Sequence, residues 1–327
     1  MTIQRRQILV AAATATASGI AAFPHLARAY PLRPVRIVVP YPAGSSIDVP
    51  ARILAEALPP LLGQPVIVIN TPGGSAAIGT RSVASGESDG HTLLMGTNQT
   101  HASNQSLIPN LGYDPVRDFE CITAIGRIQH ALVVRKDLGV RNLGELVALA
   151  RKSPGKLTYA SSGNASASHL AGEMFKQSAG VHITHIPYRG VAPAVQDLLG
   201  GHVDMSFATL PAVLGFVRSG AIECFGIASR DRAPQLPDVR TLAEQGFPHT
   251  EADAWTALFA PAKAPADVVQ KLRQAVLAVF ADPVHVKKLT DAGYGLQIRN
   301  GDAYKTFARE DTARWAAVIR SAGIKLD

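Results

Sequence analysis

The chain has 327 residues, 47% hydrophobic and 17% charged, with 28 glycines, 22 prolines and two cysteines. Such a composition builds a packed core and excludes a disordered chain, a collagen-like repeat and a disulfide scaffold. The formal net charge of +7 raises nucleic acid or an anionic membrane as partners to be tested.

The first element is a leader. Arg5-Arg6, an Ala/Thr/Ser/Gly-rich apolar run and Ala27-Arg28-Ala29 read as a secretory signal, twin-arginine-like, cleaved after Ala29. Its apolar run is shorter than the ~20 residues a membrane span needs, and no later stretch is long enough to span. Removing residues 1–29 takes Arg5, Arg6 and Arg28 and no acid. The mature chain then has 29 basic residues (32 − 3) against 25 acidic ones, a net of +4 with no basic run of five. Nucleic acid therefore drops out as a partner, and the chain is expected to act outside the cytoplasm, in the periplasm.

Beyond the leader, strands alternate with helices. Residues 35–39 form a strand, 48–62 an apolar-periodic helix, 66–69 a strand, 76–84 a helix and 92–95 a strand. This alternation predicts βαβ units and mostly parallel sheets. The apolar stretch 120–134 suits a strand crossing between lobes. A second series follows: helix 143–152, opened by the Asn142-x-x-Glu145 capping box, strand 157–160, helix 166–178, strand 183–187, helix 192–199, strand 203–208 and helix 211–218. Strand 222–228 is the expected return crossing, and helices 266–280, 283–291 and 302–322 complete the chain. The expected architecture is α/β and two-lobed, of the Venus-flytrap type, with two crossover segments and a central ligand cleft. Residues 30–128 and 252–327 form one lobe and 129–251 the other.

Three strand-end loops carry the expected site chemistry: residues 40–48, 97–101 and 161–166. Glycine allows close backbone approach, helix N-termini offer free amides, and Ser, Thr and Asn add neutral donors. This set suits a carboxylate held without a buried arginine.

The motifs Tyr41-Pro-Ala-Gly-Ser-Ser-Ile-Asp48, Leu62-Gly-Gln-Pro65, Asp89-Gly90-His-Thr-Leu-Leu-Met-Gly96, Tyr113-Asp-Pro-Val-Arg-Asp-Phe119, Ser153-Pro-Gly-Lys-Leu-Thr-Tyr-Ala160, His169-Leu-Ala-Gly-Glu173, Ile186-Pro-Tyr-Arg-Gly190 and Leu236-Pro-Asp-Val239 run in order from residue 31 to the C-terminus. Together they resemble the Bug family, solute-binding proteins of tripartite tricarboxylate transporters. The resemblance implies a periplasmic binding-protein fold that closes on a dicarboxylate, an acidic amino acid or an aromatic acid. It implies no enzymatic activity and no cofactor; the partners are the small carboxylate and, transiently, membrane transporter subunits. It places Tyr41, Ala43, Gly44 and Ser45 against the ligand on one lobe and Ser162, Asn164, Ala165 and Ser166 on the other, with Asn98 and Asp204 at the specificity end. Tyr188 faces the same cleft, and a monomer is expected. Ser45-Ser46 stand where the family has further glycines, which reshapes the loop if those positions need positive φ.

Other motifs suggest rival chemistries. Gly86-x-Ser88-x-Gly90 matches a hydrolase pattern, and an exported hydrolase is the rival reading, but a nucleophile elbow needs a strand before the serine and a helix after it. A periplasmic sensor without a transporter is a further alternative. Gly74 and Gly79 have P-loop spacing, but Thr80 stands where lysine is needed. His182 and His185, three apart on a strand, point to opposite faces and share no metal. Cys121 and Cys224, on the two crossing segments, are either a disulfide or two buried thiols.

Overall fold

A computed structural model describes residues 30–324. The predicted leader and its cleavage after Ala29 lie outside the described residues.

The chain starts in a first sheet with β1 (Val35–Val39), whose Val35, Ile37 and Val39 are fully buried. Helix α1 (Asp48–Ala57) follows, then a separate short α2 (Pro59–Leu62). The single helix expected over 48–62 divides here because Pro59 and Pro60 lack amide donors and fit only a helix's first turn. The series continues through β2 (Val66–Asn70), α3 (Ala77–Ala84) and β3 (Thr92–Thr97). A π-helical turn, Gln99–Ser103, leads into α4 (Asn104–Leu107) and then β4 (Phe119–Ile128).

The expected crossing strand 120–134 is divided at Gln129, so that β4 belongs to the first sheet and β5 (His130–Arg135) to the second. Next come α5 (Leu143–Lys152), β6 (Thr158–Ser161), α6 (Ala167–Ala179), β7 (Thr184–Pro187), α7 (Val191–Leu199), β8 (Met205–Thr209), α8 (Leu210–Arg218) and β9 (Ile222–Ile227). Asn142 caps α5 as its spacing predicts, accepting from the Glu145 amide at 2.9 Å. The return crossing comes later than expected. β9 lies wholly in the second sheet beside β5, and the chain re-enters the first sheet with β10 (Ala254–Pro261). Helices α9 (Ala266–Ala281) and α10 (Pro283–Asp291), strand β11 (Tyr294–Arg299) and α11 (Gly301–Ser321) finish the first lobe.

The first sheet has order β11-β4-β10-β3-β1-β2, the second β7-β6-β8-β5-β9. Both are mixed rather than mostly parallel. β1, β2 and β3 run parallel, as do β6, β7 and β8, but β10 runs antiparallel to β3, and β5 to β8. The cause is topological: β5 and β10 are the strands that arrive from the other lobe, and they enter from the cleft side. The parallel strands leave their carboxyl ends at that same side, where α/β folds place their ligands.

Candidate ligand-binding cleft

Four helices begin at the cleft. Ser46 and Ile47 precede α1, Ser166 and Ala167 open α6, Gly190 and Val191 open α7, and Thr209 precedes α8; all line one inner chamber of about 80 Å³. Each helix start presents amides without intrahelical acceptors and a partial positive charge. Among the described residues no charged side chain lines the chamber. It adjoins a vestibule of about 590 Å³ with which it shares Tyr41, Gln99, Ser162 and Gly190, and there the exposed Arg189 is the lining cation. The lobes touch across the cleft: the Ser46 and Thr209 hydroxyls are 2.6 Å apart, and Ser103 Oγ donates to the Ala165 carbonyl at 3.5 Å.

On the first lobe, the loop after β1 turns at Gly44, the only residue between Pro40 and Asp48 with positive φ, at 75°. Ser45 and Ser46 adopt ordinary backbone, so the loop accommodates them without the extra glycines. The Gly44 amide does not face a ligand; it donates to Asp48 Oδ2 at 2.9 Å. Asp48 also accepts from Arg52 Nε at 2.7 Å and Asn70 Nδ2 at 2.9 Å. Burial opposes ionisation of Asp48, but these donors outweigh it and hold its carboxyl below the usual range. Tyr41 lines the chamber with its hydroxyl between Thr97 Oγ1, at 2.8 Å, and Gln99 Oε1, at 3.0 Å, and burial raises its pKa. Ser45 Oγ and Asn98 Nδ2 are buried chamber groups without hydrogen-bond partners. Buried polar groups are normally paired, so these two leave hydrogen-bonding capacity unused at the chamber. Ala43 is exposed and lines neither chamber nor vestibule.

On the second lobe, Ser166 caps α6 by accepting from the His169 amide at 3.3 Å, and its hydroxyl donates to the Gly163 carbonyl at 2.6 Å. Ser168 Oγ ties the turn together, accepting from the Ser162 amide at 2.8 Å. The Ala165 amide, expected at the ligand, instead donates to His169 Nδ1 at 3.1 Å with the residue at φ 63°. Burial keeps His169 neutral. The α6 amides left by this arrangement are those of Ala167 and Ser168. Asn164, Ser162 and Tyr188 reach the vestibule, where the Tyr188 hydroxyl donates to Asp197 at 2.6 Å. His130, held neutral by burial with its pKa down at about 4, lines the deep end.

Asp204 is not at the cleft. It stands just before β8, at the end opposite Thr209, where Arg135 and Thr158 donate to its carboxylate at 2.8–3.0 Å. Gln99, Gly190 and Thr209 also line the chamber without having been singled out as contacts from the sequence, and Ser46, whose added hydroxyl could reach a ligand, lines it too. Thr209 had a readable signal: a hydroxyl residue before Leu-Pro at a strand-to-helix junction marks a helix start.

The other motifs stay apart from the cleft. Ser88 sits in the turn after α3 and before β3, a helix-to-strand order. Thr80 lies inside α3, donating to the Ala76 carbonyl at 2.8 Å. His182 precedes β7, and His185 bonds Ser161 Oγ at 2.6 Å and stacks on His169. No cluster of three potential metal ligands occurs among the described residues. Cys121 and Cys224 are free thiols in different sheets.

Two α/β lobes joined by two crossings, with helix N-termini converging on a closed cleft, define a periplasmic binding protein. The chain belongs to the tripartite tricarboxylate transporter family of receptors (TctC), whose family model matches residues 50–324. Protein BugT of Bordetella pertussis is 36% identical across 94% of this chain and 95% of its own. Among solved structures, the periplasmic binding protein BugD is 34% identical, with a TM-score of 0.85 over 90% of this chain and 99% of its own. The Rhodopseudomonas palustris protein MatC, solved with bound malate, is 31% identical, with a TM-score of 0.82 over 89% of this chain and 100% of its own. Another R. palustris protein, solved with adipate, is 33% identical, with a TM-score of 0.87 over 90% of this chain and 99% of its own. The family comprises periplasmic solute-binding receptors, and no described helix is long and apolar enough to cross a membrane.

Proposed function

We propose that the protein captures a small carboxylate by closing its two lobes and delivers it to the membrane subunits of a tripartite transporter, acting as a monomer without chemical change to the ligand. The observation that carries this reading is the uncharged chamber onto which four helix starts converge, with Asn98 Nδ2 and Ser45 Oγ unpartnered. Helix-end amides and neutral donors stabilise an anion without a buried counter-ion. The malate and adipate bound by the two R. palustris relatives are acids of the expected size class. In this reading residues 30–128 and 252–327 move as one body, 129–251 as the other, and Tyr41, Ser45, Asn98, Ser162 and Ser166 stand nearest the ligand. Among the described residues no carboxylate lines the chamber to pair with an ammonium group. Amino-free acids such as malate and adipate are therefore expected to bind more tightly than aspartate or glutamate.

The test is a thermal-shift and calorimetric screen of mature protein against mono-, di- and tricarboxylates, acidic amino acids and aromatic acids, since a native-state ligand raises Tm by mass action. At least one acid is expected to raise Tm and bind one to one, and Asn98→Ala should weaken it about tenfold or more, the loss of one hydrogen bond to a charged group. A screen in which no carboxylate shifts folded protein sinks the reading.

A further inference from the structure

A second cavity, of about 410 Å³, lies on the first lobe under α11. The π-helical turn Gln99–Ser103 separates it from the cleft: Gln99 lines the chamber and His101 lines this cavity. Its volume falls within the range of small-molecule sites.

The floor is aromatic. The His101 ring stacks on Phe259 with centroids 3.9 Å apart and planes within 7°, and Phe119 meets it edge-on at 5.0 Å. Tyr304 packs edge-on to Phe259 at 5.6 Å. Gly96 makes room for the stack, since a Cβ there would lie 2.7 Å from both rings. His101 is only 3% exposed, and burial brings its pKa down to about 3, so the ring is neutral.

The imidazole is tied down at one nitrogen. Thr100 Oγ1, which accepts from the Thr97 amide at 2.9 Å, hydrogen-bonds His101 Nδ1 at 2.8 Å. Among the described residues Nε2 has no partner. It calls for a hydrogen-bonding group from whatever fills the cavity.

The rim has the opposite character. Lys305 and Arg309, one turn apart on α11, are exposed lining residues; Lys305 lies 4.0 Å from the exposed Asp302, and the rim acid Glu120 is paired with Arg273 at 3.4 Å. Val116, 80% exposed, completes an apolar lip.

We propose that this cavity is a second ligand site, for an aromatic hydroxy acid: the ring packs among Phe119, Phe259 and Tyr304, its hydroxyl hydrogen-bonds His101 Nε2, and its carboxylate meets Lys305 and Arg309. The site is independent of the cleft, so it stands or falls apart from the reading above.

The probe is 4-hydroxybenzoate, measured by equilibrium dialysis on mature wild-type protein, His101→Phe, the Lys305→Glu/Arg309→Glu double variant and Asn98→Ala. The double variant changes only exposed side chains, which keeps the test valid should His101→Phe fail to fold. The expected result is saturable binding to wild type, weakened about tenfold or more by the double variant and by His101→Phe and retained by Asn98→Ala. Benzoate, which lacks the hydroxyl, should bind about tenfold more weakly than the probe. Absence of saturable binding to wild type, or binding that Asn98→Ala abolishes and the double variant leaves intact, overturns the proposal.

Discussion

Asp48 shows how a buried acid braces the loop that leads into the chamber. Its side chain is 2% exposed and accepts from the Gly44 amide, Arg52 and Asn70. Arg52 is 57% exposed, so that ion pair contributes little. The bonds to Gly44 and Asn70 set the turn that carries Ser45 and Ser46 into the chamber. Replacing Asp48 by Ala leaves the Gly44 amide without a partner and Asn70 Nδ2 with only the Tyr41 carbonyl, and is expected to cost about 2 kcal/mol. The pH dependence has a definite sign. The folded carboxyl titrates below its usual range, so its contribution is complete above about pH 4 and is lost as pH falls through the folded value. Denaturant titrations should show a gap between wild type and Asp48→Ala at pH 7 that narrows toward pH 3. A gap that stays constant with pH would mean that the charge of Asp48 is not what braces the loop.

At the scale of elements, α6 joins fold and site. Ser166 is both its N-cap and a chamber residue. Aspartate caps a helix about as well as serine, so Ser166→Asp should leave Tm within a few degrees of wild type. The same change sets a negative charge at the chamber, and carboxylate affinity should fall tenfold or more by like-charge repulsion. Calorimetry beside a thermal scan separates the two effects; affinity unchanged at unchanged Tm would place the ligand away from α6. The Ser166 cap and the loop after β1 were legible from sequence because capping and turn chemistry are local. Other features were not. β10 is buried along its whole length, so it carries no alternation of polar and apolar positions to mark it as a strand. The Gly44 and Ala165 amides look available until their acceptors, Asp48 and His169, are seen four residues on. Asp204 fell at the wrong end of its strand, since only the paired topology shows that the carboxyl end of β8, at Thr209, is the one that meets the cleft.

For the whole molecule, the excess of basic residues does not build the chamber, which no charged side chain lines among the described residues. The two crossings between the sheets are tied to each other. Gln129, between β4 and β5, donates to Ser229 Oγ at 3.1 Å; Ser229 donates to Asp253 at 2.9 Å; and Arg127 Nε lies 3.3 Å from the same carboxylate. Burial raises the Asp253 pKa to about 6 despite Arg127, Ser229 and Arg314, with Asp231 adding to the rise. The folded protein thus retains a proton that the unfolded chain releases near pH 4. Because the native state binds more protons in that interval, stability falls as pH rises from about 4 to about 6 and then levels. Asp253→Asn keeps an acceptor for Ser229 and removes the ionisation. The variant should therefore lose this part of the slope and gain stability relative to wild type as pH rises from about 4 to about 6, read as Tm across a pH series. A wild-type-to-variant difference that does not change over that interval would show that Asp253 ionises in the hinge as freely as in the unfolded chain.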